Sequence, residues 1–89
     1  MKEIKLSGRE RTVLRYIDWA CGTIGSELQE TTRLEPDDLV AILNGLLAVG
    51  YVETDPYAEQ TDEATYAQTT FEVNPSYALE LRTAMAKGH

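Results

Sequence analysis

The sequence is short of the residue types that carry most chemistry. Its 89 residues include one cysteine (Cys21), one histidine (His89), one tryptophan (Trp19) and one phenylalanine (Phe71). A single thiol excludes an internal disulfide and a thiolate metal cluster within one chain, and fits a reducing, cytoplasmic setting. No run of about 18 apolar residues is available for a membrane span. The opening "MKEIKLSGRE" lacks the apolar stretch of a secretory signal. A soluble protein with no membrane partner is expected.

No catalytic constellation follows from these residues. Cys21 is expected on the apolar stripe of a first helix, where burial makes a thiol inert. "GTIG" (22–25) lacks the following lysine and preceding strand of a phosphate loop. The acids of "DPYAEQTDEAT" do not follow the alternating pattern of a calcium loop with its central glycine. The expectation is a non-enzyme with no cofactor, no metal and no small-molecule ligand.

Positive charge is also scarce where it would matter. The net charge is −7, and residues 1–34 hold six bases (Lys2, Lys5, Arg9, Arg11, Arg15, Arg33) against five acids, whereas residues 35–89 hold two bases against ten acids. Duplex DNA is bound largely through cations that displace counterions, so the second half repels it.

With 43% apolar residues and no repeat or low-complexity linker, residues 1–89 form one domain with a modest core. "SGRE" (7–10) is a capping box that starts a helix, whose Val13, Leu14, Ile17, Ala20 and Cys21 share one face up to Gly22. "SELQ" (26–29) offers a second capping box and a short helix to about Thr32, so that residues 7–34 hold the first two helices. A third helix over 35–50 opens at Pro36, with Asp37 and Asp38 beside its positive end. Leu39, Ile42, Leu43, Leu46 and Leu47 share its core face, and Gly50 provides a left-handed stop. A two-stranded hairpin over 51–73 pairs "YVET" with "YAQTTFEV" around a polar loop, and a last helix over 74–87 begins at Asn74-Pro75 with Tyr77, Leu81 and Met85 every four residues.

The stretch "SELQETTRLEPDDLVAILNGLLAVGYVE", followed by the hairpin, resembles the winged helix-turn-helix superfamily of small prokaryotic regulators. The fold class is α+β, a mostly helical winged helix with a two-stranded wing and a C-terminal helix similar to appended dimerisation helices. The resemblance implies DNA binding through the third helix and the wing. The outward face of that helix comprises Asp37, Asp38, Ala41, Asn44, Gly45 and Ala48, and Asn44 alone has a side chain suited to a base edge.

Two classes of function are therefore carried forward. The first is an interaction or dimerisation module in a regulatory assembly, contacting a protein partner or second copy through Arg15, Trp19, Asp37, Ala41, Asn44, Gly45, Ala48, Tyr57, Tyr66 and Leu79. In this reading the small face of helix three admits a close neighbour, and the acidic loop meets a basic partner or remains a mobile, solvated tip. Trp19 is either an anchor with Arg15 stacked on it, or is covered by the last helix, by "EIKL", or by Leu79 across a dimer. The second class is a DNA-binding regulator using Lys2, Lys5, Arg9, Arg11, Arg15, Arg33 and Asn44. Charge favours the first.

Overall fold

The structure is a computed structural model that describes residues 4–87. It is α+β: α1 (Gly8–Tyr16), β1 (Thr23–Ile24), α2 (Gly25–Thr32), α3 (Pro36–Ala48), β2 (Val52–Asp55), β3 (Thr70–Val73) and α4 (Ala78–Lys87). Short 3-10 turns span Tyr66–Gln68 and Pro75–Tyr77. No helix among the described residues is long and apolar enough to cross a membrane.

The start of α1 follows its local signal. Ser7 Oγ accepts from the Glu10 amide at 3.1 Å, and Glu10 Oε1 accepts from the Ser7 amide at 2.8 Å, which closes the capping box. The end of α1 does not follow the apolar spacing. The helix stops at Tyr16 and Ile17 is extended, because Asp18 organises a competing turn. Its Oδ1 accepts from the amides of Ala20 and Cys21, and its own amide donates to Thr23 Oγ1. Ala20 and Cys21 are consequently exposed rather than part of the core stripe.

The Ser26 capping box does not form either. Helix α2 begins two residues earlier, at Gly25, whose amide donates to the carbonyl of Thr69, just ahead of β3, at 2.9 Å. A Cβ on Gly25 would overlap the Tyr66 carbonyl oxygen. Only glycine permits that approach.

Helix α3 starts and stops on its local signals. Pro36 occupies its first turn. At the other end Tyr51 N–H reaches Leu46 O at 3.0 Å and Gly50 N–H reaches Leu47 O at 3.1 Å, the paired bonds of a Schellman stop, with Gly50 at φ +83°.

The sheet has three antiparallel strands in the order β1–β3–β2, one more than the expected hairpin. Thr23 pairs with Phe71 and Ile24 with Thr70, while Val52 pairs with Val73 and Thr54 with Phe71. Val52, Thr54, Phe71 and Val73 point inward, as period-two alternation requires. They meet Val13, Leu14 and Ile17, Leu28 of α2, Leu39, Leu43 and Leu46 of α3, and Leu81 of α4 in one core.

Residues 66–69 precede β3 instead of belonging to it. Tyr66 sits in the core at 8% exposure, packed against the start of α2. In the last segment Asn74 caps the 3-10 turn and α4 follows only at Ala78. Leu81 and Ala84 are its buried residues, while Tyr77 packs edge-on against Tyr51 outside the core.

Candidate functional site

Two surfaces collect the candidate residues. The first lies between α3 and the loop of residues 56–69 that joins β2 to β3. Asp37, Ala41, Gly45 and Ala48 are all exposed on α3, as their helical spacing dictates. A Cβ on Gly45 would meet nothing within 4 Å. Open space therefore lies over mid-helix, and it continues into a groove of about 760 Å³ lined by Gly45, Leu47, Ala48, Val52, Glu53, Tyr57 and Glu59, among others.

Asn44 is not free on this surface. Its Nδ2 donates to the Thr61 carbonyl at 2.9 Å and its Oδ1 accepts from the Thr61 amide at 2.7 Å. A complete amide-to-backbone pair thus ties the loop to α3. Both polar atoms that would read a base edge, or meet a partner, are committed inside the chain. The loop is pinned again where Thr54 Oγ1 accepts from the Ala58 amide at 2.6 Å, and where Asp62 Oδ1 accepts from the Ala64 and Thr65 amides. These bonds fasten the loop along its length, while most of its residues between 56 and 65 stay exposed. Tyr57 stands out from it at 78% exposure, whereas Tyr66, expected on the same surface, is in the core.

The segment that supplies this surface carries charge of one sign. Residues 34–81 contain ten acids and no lysine or arginine. Glu53 lies directly opposite Glu72 across β2 and β3, a like-charge pairing that destabilises a sheet unless something offsets it.

The second surface surrounds Trp19. Its position does not follow helical angle, because α1 has ended. The Asp18 turn folds the indole back so that its N–H donates to the Leu14 carbonyl at 2.8 Å. The ring is half-buried against the core. The cation stacked on it is Arg82 of α4, with its guanidinium carbon 5.0 Å from the ring centroid, in place of the expected Arg15. Arg15 instead joins Trp19, Arg82 and Met85 in lining a shallow pocket of about 390 Å³. Helix α4 therefore provides the cover, and Leu79, at 73% exposure, does not line the pocket. Sequence reasoning passed over Arg82 because nothing in local spacing links it to Trp19.

No family model, curated protein or solved structure matches this chain. Its functional reading rests on these two surfaces.

The cations proposed for DNA contact differ in their surroundings. Lys2 lies outside the described residues. Arg9 pairs with Asp38 of α3 at 3.7 Å. Arg11 is half-buried and donates to the Leu6 carbonyl at 2.8 Å. Lys5, Arg15 and Arg33 are exposed, and Arg33 occupies the turn between α2 and α3 at φ +60°. Among the described residues no group of three or more His, Cys, Asp or Glu could hold a metal ion.

Proposed function

We propose that this chain is a non-catalytic winged-helix module that binds protein, either a regulatory partner or a second copy, and has weak or no affinity for DNA. The order β1–β3–β2, with β1 between α1 and α2, supports the winged-helix reading. The observation that carries the functional reading is the Asn44–Thr61 pair. It takes up the one base-reading side chain on α3 and lays the acidic loop alongside the helix that would enter the major groove. Direct readout needs free donors there, flanked by cations on phosphates, and α3 presents Asp37, Ala41, Gly45 and Ala48. Small side chains flanked by an exposed tyrosine suit close packing by another protein, since aromatic residues anchor interfaces.

The test is fluorescence anisotropy of a labelled generic duplex titrated with the protein at low and then higher salt. Absence of binding at low salt is expected. Binding that weakens steeply with salt would mean phosphate contacts outweigh the acidic half, and the reading would fall.

A further inference from the structure

The chain has fifteen acids and eight bases, so a carboxylate is the expected neighbour of any guanidinium. Among the described residues only Arg9 meets that expectation, and of the four arginines that do not, two share one pocket, Arg15 and Arg82. They reach the same pocket from α1 and α4, both are exposed, and neither forms an ion pair among the described residues. Like charges sharing one pocket repel, and an anion placed between them removes the repulsion. The pocket is also held in place. Trp19 is fixed by its bond to Leu14 and by the stacked Arg82, and Met85 adds a soft apolar wall. Tryptophan and arginine are the residue types that dominate interface hot spots. This combination fits a carboxylate carried beside an aromatic or apolar group.

The same chain displays such a group. Its β2–β3 loop exposes Tyr57 together with Glu59 and Glu63, and neither acid has an ionic partner among the described residues. No residue of that loop lines the arginine pocket of its own chain. We propose that the Arg15–Trp19–Arg82 pocket receives the acidic, tyrosine-bearing loop of a second copy. The guanidiniums pair with Glu59 and Glu63, and Tyr57 packs toward the Trp19–Met85 wall. Charge-assisted guanidinium–carboxylate pairs supply the geometry of recognition. The contact joins unlike surfaces, so reciprocal exchange closes a pair and one-way docking builds a chain. The inference rests on the protein-binding reading above and specifies its partner.

The experiment is a charge swap. The pocket variant carries Arg15→Glu and Arg82→Glu, the loop variant Glu59→Arg and Glu63→Arg, and a control carries Glu27→Arg and Glu30→Arg on the exposed side of α2. Molar mass is followed by light scattering over a concentration series, with Trp19 emission as an interface signal and circular dichroism as the check on folding. The wild type is expected to gain mass with concentration, less so at high salt. Each charge-swapped variant is expected to stay monomeric, their equimolar mixture to associate again, and the control to behave as wild type. Arg15→Gln with Arg82→Gln is the milder pocket variant if charge reversal disturbs α1 or α4, and is expected to stay monomeric as well.

A wild type that is monomeric at every concentration, a mixture that fails to associate, or a control that disrupts association as the loop variant does would each overturn the pairing. Monomeric protein that also ignores the labelled duplex overturns the pairing and leaves the protein-binding reading standing. Duplex binding abolished in the pocket variant would show that the pocket holds phosphate, and both readings fall.

Discussion

Replacing Asn44 tests the feature on which the functional reading turns. Asn44→Ala removes two hydrogen bonds of 2.9 and 2.7 Å that join α3 to a loop seventeen residues away. Each such bond contributes about 0.5–1.5 kcal/mol net, and an orphaned buried polar group costs about 1–3 kcal/mol. Thr61 is only 8% exposed, so its freed amide and carbonyl have restricted access to water. Against this, alanine is the better helix former by about 0.5 kcal/mol. A net loss of about 2–3 kcal/mol is expected, a fall in Tm of roughly 10 °C or more for a domain of this size.

Asn44→Asp is a sharper probe. A carboxylate still accepts from the Thr61 amide, but its second oxygen faces the Thr61 carbonyl, and only the protonated acid can donate there. The folded state therefore holds this carboxyl above its unfolded value of about 3.9. Its stabilising contribution is present below that unfolded value and is lost as pH rises through the raised folded one. Urea unfolding from pH 3.5 to 7 should find Asn44→Asp nearest to wild type at the acid end, while Asn44→Ala shows no matching trend. The reasoning is refuted if Asn44→Ala stays within about 0.5 kcal/mol of wild type and hydrogen exchange at the Thr61 amide is unchanged.

Two glycines of α2 and α3 should respond in opposite directions. Gly25→Ala drives a Cβ into the Tyr66 carbonyl oxygen, so either the 3-10 turn or the start of α2 must shift. A loss of about 3 kcal/mol in denaturant unfolding is expected, at the upper end for overpacking, and a near-neutral result would contradict the observed approach. Gly45→Ala adds a methyl where no atom lies within 4 Å. A gain of roughly 0.5–1 kcal/mol in a thermal melt is expected, and destabilisation would show that the fold itself needs this glycine.

The parts of the fold legible in the sequence are those set by nearest neighbours along the chain. The Ser7 capping box, Pro36 at the start of α3 and the Gly50 stop depend on residues within one turn of each other, and each stands where its motif predicts. The failures share a different cause. Helix α1 stops short of its apolar pattern at a turn built by Asp18 and Thr23, and Thr23 is itself paired with Phe71 across the sheet. Strand β1 is two residues long, too short for any periodicity to register. Period-two alternation places Tyr66 on the outward face of an extended β3, yet it is buried, in contact with Gly25 far back in the sequence. The candidate surfaces divide in the same way. Helical spacing identified the exposed Asp37, Ala41, Gly45 and Ala48, whereas the fate of Asn44 and the arrival of Arg82 over Trp19 depend on segments brought together by the whole fold.

The acids at the start of α3 have local roles that bear on the choice between partners. Asp37 Oδ1 accepts from the Asp38 amide at 2.9 Å, and Asp38 reaches Arg9 of α1. Carboxylates in a first helical turn also interact favourably with the helix dipole. Exchanging them for the cations a DNA-reading helix uses would remove the contact to α1 and place positive charge at the positive end of the helix. A neutral, small-residue face beyond that first turn carries no such conflict. Stability of α3 and protein binding thus ask for compatible residues, while stability and DNA readout do not. Any phosphate contact would then fall to cations outside α3, and Arg15 and Arg82 share the one pocket that gathers two of them among the pockets described. The duplex titration, repeated on the pocket variant, and the charge swap consequently address the same two side chains, and between them they decide whether that pocket takes a carboxylate or a phosphate.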